Sequence, residues 1–315
     1  MTSDERLKKL EKWLSDLYRE AEKEMRGKWD AFFRGIREEG DKLLKAIDDA
    51  KDDDARKRAW RKYTAFVRDN TQTDKYFRGM VNELARQYAD ADRRAQEIIN
   101  GQRVGFYVDG YNLSAEDINQ IAADSDIGIR FDLIDEDAVE YLFRNEGGID
   151  MPTPRYLEYT KDTVWNARQI NAQMAQGIVQ GESIPKIAER ISNVTDGDLK
   201  ASVRRARTMA TNCHNAGRVQ SMKTAEEWGV QTRKQWMCTH DARTRHSHLE
   251  IDGETVKPDA VFSNGCRWPG DPIGPAEEVW NCRCTTVTVI DGFSSTLPKG
   301  NEDAVHVWID GKKVK

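Results

Sequence analysis

All five cysteines (Cys213, Cys238, Cys266, Cys282 and Cys284) and four of the five histidines (His214, His240, His246 and His248) fall between residues 213 and 284. Random placement would scatter them over 315 residues, so the clustering predicts local chemistry. A disulfide framework is the weaker explanation. The cysteine count is odd, the start MTSDERLKKLEKW lacks the apolar core and small-residue cleavage site of a secretion signal, and Cys282 and Cys284 are too close along an extended chain for an easy mutual bridge. Zinc takes thiolate and imidazole in tetrahedral sets, and Cys238, His248, Cys282 and Cys284 could supply one, with Cys266 as an alternative ligand. The spacing is not that of a paired CxxC finger. Buried free thiols and hydrogen-bonded imidazoles that pack a small domain account for it equally well.

The elements around the cluster bear on this choice. Residues 230–238 and 285–290 are rich in β-branched and aromatic side chains and read as two strands. Paired antiparallel, they would bring the end of the first, at Cys238, beside the start of the second, next to Cys282 and Cys284. Cys282 and Cys284 alternate with Arg283, so both thiols can point to one side. His240, His246 and His248 lie in the loop that leaves the first strand. The same loop allows a catalytic reading, in which histidines beside Asp241 and Glu254 hold a divalent cation and activate water for phosphodiester hydrolysis. Arg243, Arg245 and Arg283 suit salt bridges to those carboxylates as well as they suit phosphate, so the sequence favours a non-catalytic site. There is no Gly-rich phosphate loop, Walker-type lysine or nucleophile elbow, so an ATP-driven motor is excluded.

At these residues the sequence resembles a known family. The string WMCTHDARTRHSH from Trp236 to His248, then Asp252-Gly253-Glu254, Phe262, Pro269 to Pro272 and NCRCT from Asn281 to Thr285, is similar to the C-terminal module of Mu F-like head morphogenesis proteins of tailed bacteriophages. Asp241, Arg243, Asn281 and Arg283 are its polar motif positions, and Ala206-Arg207-Thr208 with Asn215 to Arg218 resemble the preceding helix of the family. The resemblance covers about residues 160–290 and implies a minor head protein. Such a protein is present in a few copies in the procapsid near the portal, contacts capsid or scaffolding proteins, and associates with packaged double-stranded DNA that it can leave with. It implies residence in the phage head, with assembly in the host cytoplasm and no membrane step. Of the metal-competent residues only His248, Cys282 and Cys284 match the family pattern. Cys238 or Cys266 as fourth ligand rests on the strand geometry alone.

The rest of the chain must position this module. Charged residues make up 33% and hydrophobic ones 38%, and no apolar run is long enough for a membrane span. Leu7, Leu10, Leu14, Leu17 and Ala21 recur at three- and four-residue steps, as do Phe77, Val81, Leu84, Tyr88, Ala91, Ala95 and Ile98, with Trp29, Phe32, Ile36, Leu43 and Ile47 between them. No proline precedes Pro152, so residues 1–100 are expected to be a helical assembly region of bundles or hairpins. Asp52 to Asp54 would open a helix within it.

Residues 101–159, with 4 basic and 13 acidic side chains, are expected to be a mixed connecting region. It would have a strand over 103–108, a short helix from Ser114 with Asp117 in capping-box position, a helix over 135–145, and a boundary at Gly147, Gly148, Pro152 and Pro154. Residues 160–290 would form the head-morphogenesis module, with helices over 165–180, 182–191 and 198–228, and residues 291–315 a tail whose segment 305–309 reads as a strand before a turn. The predicted class is α+β, mainly α: N-terminal helical bundle or hairpins plus a compact C-terminal α+β module. On the long third helix Leu199, Val203, Ala206, Ala210, Cys213 and Gly217 make a stripe suited to close packing. Formal net charge is −5, yet basic residues prevail between 200 and 245. Lys200, Arg204, Arg205, Arg207, Arg218, Arg243 and Arg245 are candidates for nonspecific phosphate contact.

Overall fold

The computed structural model describes residues 1–68, 75–145, 159–179, 184–293, 308–309 and 312–313. It is mainly helical. Helices α1 (Ser3–Asp48), α2 (Asp53–Arg68) and α3 (Lys75–Gly101) account for the first hundred residues. On α1, Leu10, Leu14 and Leu17 are buried, and on α3 Val81, Leu84, Tyr88, Ala91 and Ala95 are too, so the heptad-spaced apolar stripes do face a core. The side chains of Trp29, Phe32, Ile36 and Phe77 lie outside the described ones. Helix α2 begins as expected: the Asp52 carboxylate accepts the Ala55 N–H at 2.6 Å, satisfying one of the otherwise unpaired donors of the first turn.

Two corrections concern helices. Residues 103–108 are not a strand, and Ser114 does not begin a helix: both belong to α4 (Arg103–Asp124). Phe106, Tyr107, Val108, Tyr111, Ser114, Ala115 and Ile118 are all buried, so this helix is covered over much of its circumference, and that hides the 3.6-residue period. The short apolar run then imitates a strand. The segments 182–191 and 198–228 are one continuous helix, α7 (Ile184–Glu227), which runs through Asp196-Gly197 without a break. A single internal glycine costs about 1 kcal/mol, too little to end a long helix with a packed face. Helix α5 (Glu136–Asn145) lies where expected, capped by Asp135, whose carboxylate accepts the Ala138 N–H at 2.7 Å. Helix α6 (Tyr159–Val179) precedes α7. The boundary residues Gly147, Gly148, Pro152 and Pro154 lie outside the described residues.

The sheet has order β2-β1-β3, with β1 (Val230–Met237), β2 (Thr255–Val256) and β3 (Thr285–Phe293). Strands β1 and β3 pair antiparallel from Val230↔Phe293 to Met237↔Thr285, as the residue types predict. Two short helices, α8 (His246–Glu250) and α9 (Ala276–Val279), sit in the loops between the strands. In the tail β4 (Trp308–Ile309) and β5 (Lys312–Lys313) form a hairpin, and residues 305–307 lie outside the described ones.

The chain divides into two compact units, each discontinuous in sequence. One comprises 1–12, 97–155 and 203–315, the other 13–96 and 156–202. The second unit has its own core of Met25, Val81, Leu84, Ala85, Tyr88, Ile170 and Ile191, drawn from α1, α3, α6 and α7. Within it the Tyr18 hydroxyl bonds to Asp92 and to Ser202, a buried polar tie among α1, α3 and α7. In the first unit α4 crosses α7 at two glycines. A Cβ at Gly110 would lie 2.0 Å from the His214 carbonyl oxygen, and one at Gly217 would lie 2.1 Å from that of Tyr107. No side chain fits there, so the small-residue stripe on α7 is the contact surface its composition suggests.

Candidate metal centre

The polar face of α7 builds the site. Asn215 is 1% exposed and bonds at both ends of its amide. Its Nδ2 donates to the carbonyls of Thr211, Pro269 and Cys284, and its Oδ1 accepts the Thr286 N–H at 2.8 Å and the hydroxyls of Thr285 and Thr286. One side chain thereby fixes the start of β3 against the helix. One turn earlier the Thr211 hydroxyl donates to the Cys282 carbonyl at 2.9 Å, and Thr208 accepts the Asn281 N–H at 2.9 Å. Asn212 accepts the indole N–H of buried Trp268 at 2.8 Å. Asn281 has φ of 58°, a left-handed conformation that asparagine tolerates better than most residues, and this turns the chain from α9 into the Cys282–Cys284 segment.

The second wall comes from β1 and its following loop. Arg283 grips Asp241 with both terminal nitrogens, one at 2.6 Å, while Asp241 also accepts the Arg243 N–H at 2.9 Å. The Arg283 guanidinium holds the Asp241 carboxyl well below the usual carboxylate range. The Thr239 hydroxyl donates to the Arg283 carbonyl at 2.9 Å. Of the motif residues, Asp241 and Arg283 therefore tie loop to loop, Arg243 braces its own loop through its N–H, and Asn281 ties the second loop to α7. Beneath them Trp236 is fully buried, edge-on to both His248 and Phe262 at 5.1 Å between ring centroids.

Between these walls three ligand-type atoms converge. The sulfurs of Cys282 and Cys284 and a ring nitrogen of His248 lie within 4.8 Å of one another, and all three residues are buried. His248 Nδ1 is 3.3 Å from Cys284 Sγ and 3.7 Å from Cys282 Sγ. Cys238 adjoins them: its sulfur is 3.8 Å from that of Cys284 and donates to the His248 carbonyl at 2.7 Å. On the far side of the ring, His248 Nε2 is 2.8 Å from Glu278 Oε2, a close contact that lies off the axis of a good hydrogen bond. The Ser247 hydroxyl donates to the same oxygen at 2.9 Å.

Cys266 is buried in the same apolar cluster, but its sulfur packs against Gly274, and it makes no polar contact with the other thiols. Cys213 is buried on α7, where burial pushes its thiol up to about 12. A hydrogen bond from Cys282 lowers the Cys284 thiol to about 4, while the same bond and burial push Cys282 up, and burial pushes Cys238 up to about 12. Sequence reasoning missed Glu278 and the full reach of Asn215. The steps between Thr208, Thr211, Asn212 and Asn215, which put all four on one side of a helix, were the available signal for the second. Nothing in the spacing of Glu278 marked it out.

The candidate DNA-contact residues divide. Lys200, Arg204 and Arg243 are exposed. Arg205 is half-buried, Arg207 pairs with Glu11 at 2.7 Å, and Arg245 donates to the Trp280 carbonyl. Arg218 is 5% exposed and is held by Asp117 at 3.0 Å, so it is not presented to solvent. Asp117, expected in a capping box, serves as this partner. The histidines of the loop also have partners: His240 lies 3.0 Å from Asp252, and His246 lies 3.2 Å from Glu250.

Residues 168–287 match the model of the family described as phage Mu protein F like protein, a span that runs from α6 through the whole Cys/His region to β3. The chain carries a Mu F-like module. Over 189 residues it is 30% identical to the minor head protein GP7 of Bacillus phage SPP1, covering 59% of this chain and 59% of that one. Over 144 residues it is 37% identical to a protein named NAD(+)–arginine ADP-ribosyltransferase EFV of Enterococcus faecalis, covering 43% of this chain and 28% of that one. The matches thus span less than two thirds of the length of these relatives. No solved structure matches the chain. Among the described residues no helix is long and apolar enough to cross a membrane.

Proposed function

We propose that this protein is a minor component of a tailed-phage head, acting near the portal in procapsid assembly, DNA packaging or DNA delivery. The observation that carries this reading is the coincidence of the Mu F-like match, residues 168–287, with the residues that build the Cys/His module. The likeness to a minor head protein supports the same role and a location in the virion head. The portal and the capsid or scaffolding proteins are the partners, and assembly takes place in the host cytoplasm. DNA contact is weak, independent of sequence and made chiefly through the exposed Lys200, Arg204 and Arg243.

The role is structural rather than catalytic. The carboxylates that a nuclease would need are engaged in holding loops: Asp241 by Arg283, and Glu254 by the Ser263 N–H and hydroxyl at 2.9 and 2.6 Å. The His/Cys group that converges among the described residues contains no carboxylate ligand. Infection with a phage lacking the gene tests the proposal. Particles should still contain a portal yet package or deliver DNA poorly, and unaltered infectivity would remove the head role. Cleavage of DNA by the purified protein with magnesium or manganese, abolished by His248→Ala, would favour the nuclease instead.

A further inference from the structure

The geometry of the Cys/His cluster goes beyond a packed set of thiols. In a tetrahedral zinc site with bonds of about 2.3 Å to sulfur and about 2.0 Å to nitrogen, the edges are about 3.8 Å between sulfurs and about 3.5 Å between sulfur and nitrogen. Three of the six edges are close to these values, 3.8 Å for Cys238–Cys284, 3.7 Å for Cys282–His248 and 3.3 Å for Cys284–His248, while the Cys238 sulfur lies outside the group of three whose ligand atoms are all within 4.8 Å of one another and has to move inward to complete the set. The histidine is also oriented for the task. Its Nδ1 faces the sulfurs while Nε2 lies 2.8 Å from Glu278, from which a small turn of the ring or the carboxylate would give the hydrogen bond by which a carboxylate orients a metal-ligating imidazole. Glu278 is in turn held by Ser247, the neighbour of His248.

We propose that Cys238, Cys282, Cys284 and Nδ1 of His248 bind one zinc ion, with Glu278 as the positioning residue on Nε2. Each thiol that binds releases its proton to solvent. His248 binds through Nδ1 as the neutral imidazole that carries its one proton on Nε2, and in that form it releases none. Cys238 exchanges its S–H bond to the His248 carbonyl for the metal. Cys266 stays outside the set, because its sulfur is turned to Gly274.

The function of the ion follows from what it joins. Cys238 follows β1, His248 lies on α8, and Cys282 and Cys284 lead into β3. Besides the β1–β3 pairing and a shared apolar cluster, these segments are joined by loop-to-loop bonds such as Asp241–Arg283 and Thr239–Arg283. The zinc acts as a fastener that closes the module, and this holds whether or not the protein resides in a phage head.

Full-length protein expressed with added zinc and purified without chelator should contain one zinc per chain. Cys238→Ser and Cys284→Ser should each lose it, while Cys266→Ser and Cys213→Ser keep it. Glu278→Gln should keep the metal but lose it to a competing chelator about 10- to 100-fold more readily. Because ligand variants can fail to fold, cobalt substitution of the unmutated chain gives an independent reading. A tetrahedral spectrum with charge-transfer intensity for three thiolates supports the site, and an octahedral spectrum overturns it. Absence of stoichiometric zinc from soluble, helical protein would overturn it, as would a mass lowered by the two hydrogens of a Cys238–Cys284 disulfide. Retention of zinc by Cys238→Ser together with its loss from Cys266→Ser would show the ligand set to be wrong.

Discussion

The Asn215 side chain makes six hydrogen bonds, and its amide is matched end for end: carbonyls around Nδ2, donors around Oδ1. Removing it strands the buried Thr286 N–H and takes a donor from the Pro269 and Cys284 carbonyls, while the Thr211 carbonyl keeps its helical bond, and unpaired buried groups cost about 1–3 kcal/mol each before relaxation. Asn215→Ala should therefore lower stability by about 3 kcal/mol. Asn215→Asp should be at least as harmful, since a carboxylate oxygen would then face the three carbonyls. Denaturant midpoints of the two variants check this, and a change below about 1 kcal/mol for both would contradict the hub role. His214 sets the pH response at the same scale. Burial, reinforced by the nearby Arg218 charge, depresses its imidazole from 6.5 to about 4. The unfolded chain then binds the proton first, so stability is full above pH 6.5 and falls as the pH drops toward 4. The loss should reach about 2 kcal/mol by pH 5. Urea unfolding at pH 7 and pH 5 should show this loss in the wild type and most of it missing in His214→Asn.

At the scale of elements, the crossing of α4 and α7 is decided by two hydrogen atoms. Gly110 and Gly217 each face a carbonyl at a distance that no Cβ tolerates, and the obstacle is backbone rather than a flexible side chain. Gly217→Ala should cost about 3 kcal/mol through displacement of the helices. Gly27→Ala, in the middle of α1 with nothing within 4 Å, should stabilise by about 0.5–1 kcal/mol on helix propensity alone. Thermal melts of the pair separate steric contact from propensity; equal and opposite shifts to those expected would refute the crossing. What the sequence revealed follows the same logic. The β1–β3 pairing was legible because Val230 to Met237 and Thr285 to Ile290 carry strand-forming residues, and it correctly brought Cys238 to Cys284. The stripe ending in Gly217 was legible from its helical period. The strand expected at 103–108 was not a strand, because a helix buried on several sides loses the periodicity that reveals it. Glu278 escaped notice because its importance depends on a contact made thirty residues away in the chain, with His248, which no local pattern encodes.

The whole molecule pairs a net charge of −5 with a few exposed cations on the module, which suits contact with DNA that is weak enough to be reversed. Arg204→Glu combined with Arg243→Glu should reduce retention of duplex DNA and flatten its salt dependence by about 0.9 in log–log slope for each phosphate that is no longer neutralised. Arg218→Glu should instead unfold the module, since that guanidinium is buried against Asp117. Filter binding at several salt concentrations, alongside circular dichroism, distinguishes these outcomes; identical salt slopes for the wild type and the double variant would leave DNA binding by these residues without support. Incorporation into the phage head, on which the proposed role depends, is read by quantitative mass spectrometry of gradient-purified heads from the phage that encodes the protein. A few copies per particle should be detected together with the portal, absent when the gene is deleted and restored by complementation. Heads that contain portal and packaged DNA but none of this protein at any stage of assembly would contradict it.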